Sequence, residues 1–292
     1  MLYVQLASPE WGAYRDFAHL SQDTLVIPNL IENTFEVAKI VIDSDDTPRL
    51  EPLCVLHLPP LSQNASLYHL LCRGEPNITG SGPIAIPSPS NRPFRNKAEE
   101  AIITFHMSYE HFSESRSRSQ TWFTLIAQRR ALFAHIPAVQ RACVPSCSAP
   151  EPAPPLVHVP WSAWGPSATR WSTPISSLAT TAGQRAVILK GRKPSPIIVR
   201  DFNPYAVRAA RALATASGQS QEGNWRNLPN GNWTSLKVEG SVLTAGSIFK
   251  EDVWSFLPYV EIVTRRQYRY DYVMIDEERI LGLKVRVEYS CF

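Results

Sequence analysis

The 292-residue chain lacks any apolar run approaching the length of a membrane span, so no membrane partner is expected. Its first residues, MLYVQLASPEWGAYRDF, have no basic stretch followed by an apolar one and do not read as a secretory signal. Charged residues are scarce, at 19%, and the formal net charge is only +3. A dedicated nucleic-acid binder concentrates more positive charge, which places nucleic acid last among the expected partners. There is no G-x-x-x-x-G-K-[ST] and no G-x-G-x-x-G after a strand, so nucleotide-dependent catalysis has no support. No H-E-x-x-H pair and no G-x-S-x-G elbow occurs. The sequence implies no cofactor, no metal and no enzyme.

What is present is apolar and rich in proline. Hydrophobic residues make up 44% of the chain, enough to bury a real core, and proline occurs 25 times. Many prolines and few charged runs point to short strands joined by ordered loops. The five cysteines, Cys54, Cys72, Cys143, Cys147 and Cys291, show no framework spacing and read as reduced thiols of an intracellular protein, cytoplasmic or nuclear. The sequons at Asn64, Asn77 and Asn232 are then chance matches.

The first third is β-like: DTLVIPNL (23–30), TFEVAKIVI (34–42) and PLCVLHLPPL (52–61) are β-branched or alternating and bounded by turn residues. FEVAKIVI has no clean polar face, so this strand is expected to be buried on both sides. Residues 74–94 read as a Gly/Pro/Ser/Asn loop with room for a short strand at 84–86. EEAIITFHMSY (99–109) and WFTLIAQ predict strands around a solvated loop, EHFSESRSRSQ, and RRALFAHI predicts a helical turn before Pro137. The Ser/Arg alternation of 113–120 can accept phosphates, but a polar loop explains it more simply. Residues 138–156 form a Pro-rich loop or linker. Trp161, Trp164 and Trp171 follow; they fit either a pocket lining or core packing, and Pro160 and Gly165-Pro166 argue against a helix there. Strand-like runs at 184–191 and 195–203 precede the best helix candidate, PYAVRAARALATA (204–216), with Asn203 as N-cap and Pro204 at its start. Residues 217–232 read as loop, and the remainder as strand pairs.

Several constellations are candidate sites. In VMIDEERILGL two apolar strings flank Asp276-Glu277-Glu278-Arg279, which is the pattern of two buried strands and a charged turn; Ile275 falls in the core and Asp276 accepts turn N–H bonds. A calcium loop needs more oxygen ligands in fixed alternation than this turn supplies. Cys143-x3-Cys147, with His135 and His158, is spaced poorly for zinc. The seven histidines, His19, His57, His69, His106, His111, His135 and His158, are dispersed; His57 and His106 lie in apolar strands and read as structural. TRRQYRYDY (264–272) interleaves Arg265, Arg266 and Arg269 with Tyr268, Tyr270 and Tyr272. An edge strand with Arg in water and Tyr half-buried is the simplest reading. Partner binding through Arg265, Arg266, Tyr268, Arg269 and Tyr270 comes second, since Arg and Tyr dominate protein–protein hot spots. Base stacking and phosphate contact come third.

Three segments, HVPWSAWGPSATRW (158–171), IIVRDFNPYAVRAA (197–210) and LPYVEIVTRRQYRYDYVMIDEERILGLKV (257–285), resemble the C-terminal region of F-box proteins from mushroom-forming fungi, and FAHLSQDTLVIPNL (17–30) resembles its beginning. The resemblance implies an all-β fold, a WD40-like β-propeller over 1–292 as a single domain, incomplete, with one short helix near 204–216. It implies a non-catalytic protein-binding domain like the substrate-recruiting part of a ubiquitin-ligase adaptor. The alternatives are an interaction scaffold unconnected to ubiquitination and, behind it, a hydrolase. The family's F-box motif, Leu-Pro-x-Glu followed by two aliphatics, is missing, so a truncated chain is expected, and Skp1 is a partner only where an F-box lies upstream.

Overall fold

The computed structural model describes residues 14, 16–43, 45–74, 98–112, 118–136, 155–172, 181–189, 193–216, 226–228, 231–246, 248–276 and 279–285. In chain order the strands and helices are β1 (Ala18–His19), β2 (Thr24–Asn29), β3 (Thr34–Ile42), β4 (Pro48–His57), β5 (Ala65–Arg73), β6 (Ile102–Phe112), β7 (Arg118–Gln128) and α1 (Arg129–Ala134). Then come β8 (Val157–Val159), α2 (Trp161–Ala168), β9 (Thr169–Ser172), β10 (Thr181–Ala182), β11 (Arg185–Leu189), β12 (Ser195–Asp201) and α3 (Pro204–Ala216). The last are β13 (Arg226–Asn227), β14 (Trp233–Lys237), β15 (Ser241–Leu243), β16 (Val253–Ser255), β17 (Tyr259–Tyr268), β18 (Tyr272–Ile275) and β19 (Ile280–Leu283).

The protein is mostly β. β1-β2-β3-β4 run as an antiparallel meander that β8 joins in parallel; β5-β6-β7-β9 form a second antiparallel sheet; β10-β11-β12-β17-β14-β13 form a third. β15-β16 and β18-β19 are two-stranded. Among the described residues no sheet closes on itself. Two-sided burial of β3 holds for its first half, where Phe35 and Val37 on one face and Ala38 on the other are buried, and fades toward an exposed Ile42. The register of β3 on β4 shifts after Val37, where Ala38 meets Pro52. A proline cannot extend the ladder, and a bulge accommodates it.

The largest core cluster binds the first two sheets together. Phe35 of β3 stacks on Phe105 of β6 at 4.2 Å, and Trp164 of α2 lies 5.9 Å from Phe35. Trp161, Trp171, Phe123 and Phe249 extend the aromatic layer. A second cluster joins Ile102 and Ile126 to Ile188, Ile198, Phe202 and Tyr259, seating the six-stranded sheet on the four-stranded one.

Several expectations are met. α3 spans the predicted 204–216; the Asn203 side-chain oxygen accepts from Tyr205 N at 2.8 Å, and Val207, Leu236 and Val260 pack beneath. RRALFA makes the short helix α1.

Others are corrected. The Trp segment is helical over Trp161–Ala168, with Pro166 inside it. Tertiary packing overrides propensity there: Trp161 and Trp164 are anchored in the core and the Trp161 ring lies flat on Gly165, where a Cβ would come within 2.2 Å of it. The loop read at 110–120 is shorter, because β6 runs to Phe112 and β7 starts at Arg118. Residues 226–227, read as loop, form β13. The hairpin at 272–283 does not have two buried strands: Val273 is buried, Ile275 is half-buried rather than core, and all four residues of β19 are exposed. The strand at 84–86, the greater part of the Pro-rich segment (138–154), and Glu277 and Glu278 lie outside the described residues.

Candidate functional site

In the Arg/Tyr strip, Arg265, Arg266 and Tyr268 form the far end of β17, and Arg269 and Tyr270 follow it directly. This strand is not at a sheet edge: it pairs with β12 on one side and β14 on the other. The pairing with β14 stops at Val263, however; past that point, among the described residues, the Asn232 side-chain oxygen accepts from Arg265 N at 3.3 Å and Gly231 lies beside the Arg265 side chain. β17 is thus an interior strand that, among the described residues, has no strand partner on this flank past Val263. On the other flank the β12 register shifts between Pro196 and Ile198; Thr264 Oγ1 fills the irregularity by accepting from Ile197 N at 2.9 Å.

Exposure separates the two residue types, although Arg266 falls on the same face as Tyr268. Arg265, Arg266 and Arg269 are exposed, and Tyr268 and Tyr270 are half-buried against Val187, Ile197 and Val273. The two tyrosine rings stack at 5.4 Å and 15°. Tyr270 lies over Gly282 of β19, so close that a Cβ there would meet the ring at 2.3 Å. The Arg266 guanidinium sits 5.6 Å over the Tyr268 ring. None of the three arginines makes an ion pair among the described residues. The structure therefore brings all five predicted residues together, as exposed cations beside a half-buried pair of stacked tyrosines. The neighbouring Asp271 is engaged elsewhere, pairing with Lys193 and accepting from Val285 N at 2.8 Å.

Asp276 and Arg279, the described ends of the charged segment, bond to each other. Asp276 Oδ1 accepts from Arg279 N at 2.6 Å, and its carboxylate pairs with the Arg279 side chain at 3.1 Å. No group of three or more His, Cys, Asp or Glu placed to hold a metal occurs among the described residues; Cys143 and Cys147 lie outside them. Cys54 and Cys72 are free and buried; burial raises both thiols, Cys54 to about 11, so they stay protonated and unreactive.

His106 is structural, as expected. It is buried opposite Thr124, with Nδ1 and Oγ1 3.2 Å apart, and burial first, then the charge of Arg73, push it down to about 4. His57 makes a contact that its sequence position did not reveal. Its Nε2 lies 3.1 Å from Nδ1 of His158, across 101 residues of sequence, on the parallel pair β4–β8. The ring centroids are 5.4 Å apart, so the nitrogens point at each other along the line between the rings, as in an N–H···N bond, rather than converging on a common ion. Beside this pair a cleft of about 530 Å³ opens between the 31–33 turn, the 58–61 segment and the start of α2.

A second basic cluster is internal. Arg170 and Arg200 stand 5.3 and 5.2 Å from the Tyr259 ring, and Arg200 pairs with Glu261 at 3.2 Å. Burial lowers Arg170 and raises the Tyr259 hydroxyl. These groups satisfy one another and join sheets rather than forming a receptive site.

The chain matches no family model, no curated protein and no solved structure.

Proposed function

We propose that this chain is a protein-binding domain without catalytic activity, a β scaffold that presents the strip Arg265, Arg266, Tyr268, Arg269 and Tyr270 to an acidic segment of a partner protein. One observation carries the reading: three exposed guanidinium groups without carboxylate partners among the described residues cluster beside two half-buried, stacked tyrosines that pack against Val187, Ile197 and Val273. Desolvating such groups against a partner's carboxylates gives charge-assisted, orientation-specific contacts. The stacked tyrosines are already ordered, so binding freezes little further freedom there.

The finer form of the proposal is a WD40-like propeller fragment, one domain across 1–292, serving as the recruiting half of an F-box adaptor inside the cell. The order of β1 to β4 and of β5, β6, β7 and β9 supports it, since consecutive antiparallel four-strand units follow one another along the chain as blades do. The parallel β8 and the six-stranded third sheet depart from that pattern. Among the described residues no helix is long and apolar enough to cross a membrane.

The test is affinity capture with the wild-type chain and with Arg265→Glu/Arg266→Glu/Arg269→Glu, each alone and fused to an upstream F-box, with Skp1 added. Wild type is expected to retain an acidic partner that the triple variant loses, and Skp1 is expected only with the fusion. Equal capture by both chains overturns the strip. Skp1 bound by the 292 residues alone overturns the assignment of Skp1 binding to an upstream F-box.

A further inference from the structure

The cleft beside His57 and His158 has the opposite chemistry to the Arg/Tyr strip. Its wall includes Glu32, Asn33, His57, Trp161, Ser162 and Glu251, and among the described residues no lysine or arginine lines it. In a chain of net positive charge most carboxylates near a cation are already paired: Asp16, Asp23, Asp43, Glu100, Glu110, Asp201, Glu261, Asp271 and Asp276 all form ion pairs. Glu32 and Glu251 form none among the described residues, yet they come from distant parts of the chain to share this one cleft.

One buried polar atom of the cleft's lining residues has no partner among the described residues, and it is an acceptor. Asn33 Nδ2 donates to the Pro59 carbonyl at 2.9 Å, which fixes the orientation of the amide, and Asn33 Oδ1 is then buried with no donor on it among the described residues. A buried acceptor without a donor is costly and calls for a partner. The imidazole pair does not supply one, because its two facing nitrogens are spent on each other. Trp161, otherwise held in the core, adds apolar surface to the wall. A volume of about 530 Å³ is in the range of small-ligand pockets and takes a long side chain readily.

We propose that this cleft receives a basic side chain, arginine or lysine, from a peptide segment of a partner protein. Guanidinium and ammonium groups carry only donors, which suits the carboxylates of Glu32 and Glu251 and the acceptor Asn33 Oδ1. The carboxylates of Glu32 and Glu251 neutralise the charge, Asn33 Oδ1 takes an N–H, and the aliphatic stem lies along Trp161, Leu58 and Pro160. This rests on the reading of the chain as a protein-binding domain, but it uses a surface separate from the strip.

The test is a titration of the full chain, uniformly labelled with nitrogen-15, with acetyl-Gly-Arg-Gly-amide, and with the citrulline peptide of the same shape but no charge. Saturable shifts are expected at the Trp161 indole and the Ser162 amide with the arginine peptide alone. The double variant Glu32→Gln/Glu251→Gln, whose substitutions are both at exposed positions, is expected to melt as wild type does and to weaken binding about tenfold. Arg265→Glu/Arg266→Glu/Arg269→Glu is expected to bind the peptide as wild type does. Equal shifts with the citrulline peptide, absence of saturable shifts, or unchanged affinity in the double variant overturns the proposal. If the peptide fails while the triple variant still loses its acidic partner, the cleft inference falls and the strip stands.

Discussion

Trp164→Ala removes the side chain that ties α2 to the meander. Trp164 is 1% exposed, lies 5.9 Å from Phe35 and 5.0 Å from Trp161, and donates its indole N–H to the His57 carbonyl at 2.8 Å. Loss of a fully buried aromatic side chain costs about 3–5 kcal/mol, including the cavity left behind. The orphaned His57 carbonyl adds about 1 kcal/mol where water does not reach it. Trp164→Phe separates the two contributions, since it keeps most of the volume and loses the hydrogen bond, and should cost about 1–2 kcal/mol. For a chain of this size 1 kcal/mol moves the melting temperature by about 2–4 °C, so Trp164→Ala should melt roughly 10 °C or more below wild type. Thermal melts and urea titrations of the three proteins give the ranking. A fall of less than about 0.5 kcal/mol for Trp164→Ala, the range of an ordinary surface substitution, refutes the placement of α2 in the core.

Val273→Asp buries an unpaired carboxylate at a fully enclosed position and should cost more than about 3 kcal/mol, whereas Ile280→Asp, across the same hairpin but exposed, should stay within about 0.5 kcal/mol in urea titrations. Gly165→Ala drives a Cβ into the Trp161 ring, held in the core, and should cost about 1–3 kcal/mol; Gly240→Ala meets Phe256, whose half-exposed ring can swing away, and should cost less than about 1 kcal/mol in the same assay. His106 has a folded pKa of about 4, below its unfolded value of 6.5, so the unfolded chain binds the extra proton between them. Its contribution is complete above pH 6.5 and is lost as pH falls toward 4, about 3 kcal/mol in all, so His106→Gln should flatten the pH dependence of stability between pH 7 and 4.5 relative to wild type.

The sequence carried its information unevenly. α3 was legible because Asn203 and Pro204 mark its start and no later residue breaks it. Strands β2 to β4 and β11 to β12 were legible from β-branched runs between turn residues. α2 was not, because Pro166 and Gly165 speak locally against a helix while the forces that hold it, the packing of Trp161 and Trp164, are tertiary. The string Ile280 to Leu283 looks like a core strand, but its burial depends on whether another layer covers it, which apolar residues alone do not state. The five residues of the strip were legible as a set because they are contiguous, although β17 is flanked on both sides rather than lying at an edge. The cleft was not legible. Glu32, His57, His158 and Glu251 are far apart in sequence and carry no spacing motif, and only the parallel docking of β8 on β4 sets the two histidines side by side.

The most direct test of the central claim is photo-crosslinking from Gln267, which is exposed between the arginines of the strip, with exposed Ser66 on β5 as the control position. A benzophenone side chain at 267 is expected to give one dominant protein adduct that the same group at 66 does not give. Adducts identical at the two positions, or none at 267, would contradict the assignment of β17's far end as the partner-binding surface.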